Sequence, residues 1–315
     1  ARNWDRIERL ARAGLKTGGA LSGLIGNGGV RDLTRAARSV GGEDLVPEWG
    51  EAMPAAAPAR LPATERDDAV AVYLPSCINR IFGRSRLDPD GPSLPEAMVA
   101  VSARAGRPVW IPDDATGTCC STPFGSKGYA EAHAFKANEA AERLWDWTDG
   151  GRLPVVMDAT SCTLGLRDPG EGVLDETNAE RHATVEVIDS VEWVLDHLLP
   201  ELEVTRPFDS VAVHPTCSGQ RLGLDRPLER AVAAVADRVV VAADAGCCGF
   251  AGDRGMLHPE LTASATEREA AELAVQPTSR AASSNRTCEI GMERATGRAW
   301  DSVVSLVEEA TRPNA

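Results

Sequence analysis

The sequence predicts an α/β protein made of two duplicated parallel-sheet subdomains, with cysteines at the carboxyl ends of the strands. Three observations carry that prediction. Short apolar runs with strand character alternate with helical patterns along the chain. All eight cysteines of the 315 residues fall into two ordered sets of four, and each set follows strand-like runs rather than interrupting them.

Taken in order, the chain opens with "WDRIERLARAGL" and "VRDLTRAARSV", which read as two short amphipathic helices joined by the Gly-rich "KTGGALSGLIGNGG". The Pro and Ala content of "PEWGEAMPAAAPARLPATERDD" then suits an extended linker. Residues 1–68 are therefore expected to be a helical and linker segment that follows an upstream domain, in keeping with a first residue other than Met. A first cysteine-rich repeat is expected over residues 69–200. Its strands are "DAVAVYL", "RPVWIP" and "LPVVMDA", and its helices "SLPEAMVAVSARAG", "KGYAEAHAFKANEAAERLWDWTD" and "TVEVIDSVEWVLDHLL". A second repeat is expected over residues 201–315. It has strands in "DSVAVHP" and "DRVVVAADA" and helices in "RPLERAVAAVAD", "HPELTASATEREAAEL" and "RAWDSVVSLVEEAT". "SRAASSN" is too polar to read as a strand. Strand and helix in alternation imply parallel sheets, whose ligands collect beyond the carboxyl ends of the strands.

The duplication is read from the cysteines. Cys77 and Cys217 each close a strand-like run, with Gly83 and Gly223 six residues on. The adjacent pairs Cys119-Cys120 and Cys247-Cys248 come next, and Lys127-Gly128 and Arg254-Gly255 follow them. Cys162 and Cys288 close the sets, each followed by two residues and then a glycine, Gly165 or Gly291. The intervals are 41 and 41 residues in the first set and 29 and 39 in the second. An ordered match of this kind points to an internal duplication.

Composition narrows the function classes. A net charge of -14 argues against a nucleic-acid partner, because phosphate binding needs clustered Lys and Arg. No apolar run reaches the ~20 residues of a membrane helix. Neither "GLIGNGG" nor "GDRG" fits the dinucleotide fingerprint, and no Gly-x-Ser-x-Gly elbow offers a serine nucleophile. Cysteines without an export signal suit a reducing compartment, where thiols serve as metal ligands or redox groups.

Four thiolates drawn from separate loops can hold zinc or the corners of an iron-sulfur cluster. The eight candidate ligands are Cys77, Cys119, Cys120, Cys162, Cys217, Cys247, Cys248 and Cys288. Small neighbours such as Ser121, Gly246 and Gly249 would let backbone N–H groups approach the sulfurs. Arg80, Lys127, Arg221 and Arg254 are candidates to offset the charge of the centre. His214, three residues before Cys217, could replace a thiolate, although a histidine at a strand end more often makes a plain hydrogen bond. His133, His182, His197 and His258 have no companion ligands at metal spacing and read as structural or surface residues.

The stretches "YLPSCINRIFG", "HPTCSGQRLG", "CCGFAGDRG" and "SSNRTCEIGM" resemble the cysteine-rich CCG domain. That domain occurs in duplicate in heterodisulfide reductases, in the iron-sulfur component of glycolate oxidase and at the carboxyl end of FAD-dependent, iron-sulfur D-lactate dehydrogenases. The likeness spans about residues 69 to 295 and is strongest to the last group. It implies an electron-transfer portion of a flavin-dependent D-2-hydroxyacid dehydrogenase, with a 4Fe-4S cluster in one or both cysteine sets and no catalytic residue in this portion. FAD and ferredoxin-like clusters would lie on upstream domains of the same polypeptide. A quinone or cytochrome would accept the electrons, and the protein would be cytoplasmic or peripheral at the inner face of the membrane.

Two departures from the family pattern stand out. Gly165 and Gly291 occupy the place of a further cysteine, and Ser121 rather than Gly follows the first pair. Loss of a fifth thiol weighs against non-cubane clusters and heterodisulfide-type chemistry. Two alternatives to the electron-transfer reading remain: a zinc-stabilised docking module, and a thiol-disulfide reductase using the adjacent pairs directly.

Overall fold

Short runs of β-branched and small residues become eight strands in the computed structural model, which describes residues 1–313. Residues 314–315 of the second expected repeat lie outside the described residues. The first sheet contains β1 (Ala71–Leu74), β2 (Val109–Trp110), β3 (Val155–Met157) and β4 (Val187–Asp189) in the order β2-β1-β3-β4. The second contains β5 (Val211–Val213), β6 (Val239–Val241), β7 (Arg280–Ser283) and β8 (Asp301–Ser302) in the order β6-β5-β7-β8. Every pairing is parallel, so the two sheets repeat one topology. Successive strands leave β1 and β5 first to one side and then to the other. The carboxyl ends of β1 and β3, and of β5 and β7, therefore flank a switch point where an open parallel sheet leaves a crevice.

Helix α1 (Trp4–Gly41) precedes the first sheet. Within that unit come α2 (Cys77–Ile81), α3 (Leu94–Arg104), α4 (Thr122–Gly125), α5 (Ala130–Trp147), α6 (Thr160–Arg167), α7 (Glu176–Thr184) and α8 (Ser190–Glu192). A π turn, Trp193–Leu198, and a 3-10 turn, Leu199–Glu201, continue α8. The second unit carries α9 (Cys217–Leu222), α10 (Asp225–Ala233), α11 (Arg254–Leu257), α12 (Pro259–Ala274), α13 (Arg286–Thr296) and α14 (Val303–Ala310). One apolar core runs through both units, joining Met98 and Val101 of α3 to Val304 and Val307 of α14 and to Leu228 and Val232 of α10. Arg104 of α3 reinforces the seam by donating to Glu308 and to Thr311 Oγ1 at 3.0 and 2.8 Å.

Four expectations change. The two expected amino-terminal helices are present, but the Gly-rich stretch between them is itself helical apart from Gly26, whose non-helical conformation (φ 74°, ψ 164°) divides α1 in two. Gly18 and Gly19 stand within it because a Cβ on Gly18 would lie 2.2 Å from Trp49 Cζ3, and one on Gly19 2.2 Å from Arg86 Nη2. The Pro/Ala stretch is no free linker: Ala57 N donates to Ile81 O at 2.9 Å and Gly83 N to Ala55 O at 2.8 Å, pinning it beside α2. β4 and β8 occupy the starts of two expected helices. Asp189 caps α8 by accepting from Val191 N at 2.9 Å, and Ser302 caps α14 by accepting from Val304 N, so each helix begins only after its cap. The polar "SRAASSN" contributes β7, whose buried Ser283 Oγ donates to His214 O at 2.9 Å.

Candidate metal centres

All the cysteine-bearing turns leave the carboxyl edge of a sheet. Cys77 follows β1 and begins α2, while Cys217 follows β5 and begins α9. Cys162 and Cys288 follow β3 and β7 in the first turns of α6 and α13. The adjacent pairs lie on the loops after β2 and β6. Backbone N–H groups in a first helical turn favour an anionic sulfur, so these positions suit thiolate ligands.

The four cysteines of the first set come together and all are buried. Cys120 Sγ is 3.0 Å from Cys162 Sγ, and Cys119 hydrogen-bonds both Cys120 and Cys77. The thiols share their protons unequally. Hydrogen bonds from Cys119 and Cys162 hold Cys120 well below the usual thiol range against the effect of burial. Bonding to the Cys120 sulfur pushes Cys119 and Cys162 well up. In the second set Cys248 and Cys288 are buried with their sulfurs 3.1 Å apart, whereas Cys217 and Cys247 are exposed. Cys217 bonds Cys247, which lowers Cys247 to about 6, and Gly249 N donates to the Cys247 sulfur at 3.4 Å. A bond from Cys288, helped by His214, lowers Cys248 to about 5 although burial opposes it.

His214 is fully buried and stands apart from the other histidines. Its Nδ1 contacts both oxygens of Glu269 at 2.8 and 2.9 Å, while Nε2 is buried without an oxygen or nitrogen partner. A ring nitrogen of His214 and the sulfurs of Cys248 and Cys288 all lie within 4.8 Å of one another. Burial alone would lower His214, but Cys248 and Glu269 push it up to about 9.

Of the four basic residues expected beside the cysteines, only Arg80 is buried at a centre. Its Nε donates to Glu8 Oε2 at 3.1 Å, its Nη2 to Glu8 Oε1 and to Thr118 O, and its Nη1 to Pro75 O. Burial disfavours the guanidinium, yet Glu8, Cys77 and Cys119 raise its affinity for the proton overall. Lys127 instead pairs with Asp253 at 2.7 Å, tying the two pair-bearing loops at the surface. Arg221 and Arg254 are exposed. Among the other histidines, His133 braces the first pair's loop through Ser121 O at 3.3 Å and Pro169 O at 3.0 Å.

The departures from the family motif have steric counterparts. A Cβ on Gly165 would lie 2.0 Å from Thr122 Oγ1, so Thr122 fills the place of a fifth thiol in the first set. A Cβ on Gly291 would meet Thr262 Cγ2 at 3.3 Å and Cys248 Cβ at 3.5 Å. Ser121 matches Gly249 in conformation, with φ 66° against 67°, a left-handed backbone that only glycine adopts without strain. The Ser121 hydroxyl is buried and unpartnered, so Ser121→Gly loses no hydrogen bond. We expect it to stabilise the chain by about 1 kcal/mol in denaturant titrations. Gly249→Ala should cost at least about 2 kcal/mol, since its Cβ would also lie 2.8 Å from Leu261 O.

The two centres are neighbours. Thr160, at the start of α6, donates through both N and Oγ1 to Ser284 O at 3.1 and 2.8 Å, and Ser161 Oγ donates to Asn285 Oδ1 at 3.1 Å. The loops carrying Cys162 and Cys288 are thus bonded to each other. Among the described residues, no helix is long and apolar enough to cross a membrane.

A family model for the cysteine-rich domain, CCG, matches residues 71–167 and again residues 211–293, more than half of the chain. Each match contains one complete set of four cysteines and one sheet through its third strand. No curated protein matches the chain.

Proposed function

The chain belongs to the cysteine-rich CCG domain family, and from that premise we propose that it is the iron-sulfur electron-transfer portion of a flavin-dependent D-2-hydroxyacid dehydrogenase of the D-lactate type. The observation that carries this reading is the convergence of Cys77, Cys119, Cys120 and Cys162 into one buried group of thiols beside the buried Arg80 cation. The donor set fits a 4Fe-4S cluster: four soft sulfurs, one cation to offset their charge, and no space at Gly165 for a fifth ligand. When bound, such a cluster supplies reversible one-electron storage. The chain's own residues hold it, exclude water from it and set its electrostatic surroundings.

Hydrogen bonds between the Cys162 and Cys288 loops hold the two sets side by side, so the second set belongs to the immediate surroundings of the first. FAD, ferredoxin-like clusters and the substrate site would reside on upstream domains of the same polypeptide, so this portion alone would not oxidise a hydroxy acid. A quinone or cytochrome would take the electrons, and the protein would be cytoplasmic or peripheral at the inner membrane face. Each repeat would extend over the expected ranges, 69–200 and 201–315.

The test is iron, acid-labile sulfide and zinc content with a visible spectrum, on the full chain purified without oxygen. We expect about four irons and four sulfides for the first set, with a brown absorption that bleaches on reduction. Stoichiometric zinc with no iron would replace this reading with a structural docking module. Mixed with the flavin-bearing partner domains, the iron-loaded chain should pass electrons from D-lactate to a quinone; transfer that proceeds equally well without it would remove the dehydrogenase assignment.

A further inference from the structure

The two cysteine sets are alike in order but not in surroundings. Three residues before the first cysteine, the first set has the buried Leu74 and the second has the buried His214. Leucine offers a metal nothing, whereas His214 is held in an orientation suited to ligation. Glu269 accepts through both carboxylate oxygens at Nδ1, so Nδ1 carries the proton and Nε2 is left to face the thiols. A ligating histidine is commonly oriented in this way, by a carboxylate on its other ring nitrogen. Nε2 is buried with no oxygen or nitrogen partner and has only the Cys248 sulfur to face, a weak contact that a metal ligated by both would replace.

Exposure divides the second set in the same sense. Cys248 and Cys288 are buried with His214, while Cys217 and Cys247 stand at the surface. The first set shows no such division. We propose that the second set is a mononuclear site of mixed donors, in which His214 Nε2, Cys248 and Cys288 hold a divalent metal of the zinc class and a surface thiol or water completes the tetrahedron. Ligand atoms within 4.8 Å of one another need only a small side-chain adjustment to reach the ~2.0–2.3 Å bonds of such a metal. Protons on the ligands leave to solvent as the metal enters. Glu269 is then a positioning residue that fixes the imidazole. The inference rests on the reading that both sets are metal centres, and it makes the pair unequal: an all-thiol centre one and a nitrogen-containing centre two.

The experiment uses the full chain with Cys120→Ser and Cys162→Ser, which remove the first set and leave the second intact. Zinc-edge X-ray absorption on this variant should show nitrogen at ~2.0–2.1 Å alongside sulfur at ~2.3 Å. Cobalt(II) titration should reach one equivalent, with d–d bands shifted to shorter wavelength than an all-thiolate standard. Adding His214→Leu, the residue of the first set, should weaken cobalt binding at least tenfold and remove the nitrogen shell. Glu269→Gln should weaken it about tenfold while keeping that shell.

An all-sulfur zinc shell, or cobalt binding unchanged by His214→Leu, would overturn the proposal. So would four irons and four sulfides in the Cys120→Ser, Cys162→Ser chain. Should the triple variant not fold, absorption at the zinc edge of the otherwise unaltered Cys120→Ser, Cys162→Ser chain still decides between a nitrogen-containing and an all-sulfur shell. Failure of the electron-transfer reading is separate: it appears as a lack of iron in the unmodified chain, whatever the second set binds.

Discussion

Glu8→Ala is expected to lower the free energy of unfolding by about 3–5 kcal/mol, measured by denaturant titration of the metal-free chain. The reason lies in what remains after the substitution. Glu8 and Arg80 are both about 1% exposed at their side chains, and Glu8 is the only carboxylate paired with Arg80 among the described residues. Without it, a guanidinium stays buried with two backbone carbonyls, Pro75 O and Thr118 O, as its remaining acceptors. Removing one partner of a buried pair costs far more than the pair contributes, because the stranded charge keeps its desolvation penalty. Glu8→Gln retains the shape and one acceptor and should cost less than Glu8→Ala. A loss below about 1 kcal/mol for Glu8→Ala would show that water reaches Arg80 and that the pair behaves like a surface bridge. The same contact joins α1 to the first cysteine set, since Thr118 directly precedes Cys119 and Arg12 also donates to Arg80 O at 3.0 Å. A weakened α1 should therefore speed the reaction of the buried Cys119 and Cys77 with thiol reagents over the unaltered chain, while the exposed Cys217 reacts at an unchanged rate.

That role of α1 was not legible in the sequence, and the reason is physical. A glycine run signals flexibility when neighbours in sequence decide the conformation, but here Trp49 and Arg86, distant in sequence, occupy the space that side chains at Gly18 and Gly19 would take. Gly18 and Gly19 permit close packing, and Gly26 alone interrupts the helical conformation. Glu8 likewise reads as one charge on a solvated helix face, and only the fold places it opposite Arg80. By contrast, the first three strands of the first unit were legible because buried parallel strands are short continuous apolar runs, as in Ala71–Leu74 and Val155–Met157. β7 lacked that signal, because its small Ala and Ser residues fit a tight interior while Ser283 satisfies its hydroxyl on the His214 carbonyl.

β4 could have been found from its downstream cap. Asp189 and Glu192 form a capping box, in which Asp189 N donates to Glu192 at 2.9 Å, and the box places the helix start after the β-branched run. The cysteines themselves were legible as two ordered sets because the thiols follow strand ends that the same sequence reveals. His214 was visible as a neighbour of Cys217, yet its role depended on Glu269, which lies on a helix 55 residues away. A residue's donor role is decided by what holds its other nitrogen, and sequence proximity says nothing about that.

Cys162→Ser is expected to have the largest effect on the metal content of the first set, removing its iron entirely while leaving the second set's metal in place. Cys162 is buried in the first turn of α6 with its sulfur 3.0 Å from Cys120, so it cannot be replaced by a thiol from solvent. Nor can a spare residue of the chain take over, because the adjacent ligand position at Gly165 is closed by Thr122. Serine keeps the volume but presents a hydroxyl that does not ionise near neutrality, and a cluster held by three thiolates is open to solvent at one iron. The loss should appear as about four fewer irons and four fewer sulfides per chain. Bound ligand stabilises only the folded state, so the iron-loaded unaltered chain should melt roughly 5–10 °C above the variant. The two chains should melt within about 2 °C of each other once metal is stripped, since Cys and Ser differ little in size. Unchanged iron in Cys162→Ser would place the cluster elsewhere than the four buried thiols. An equal fall in the second set's metal would instead show that the two centres assemble together, through the Thr160 and Ser284 contact that joins their loops.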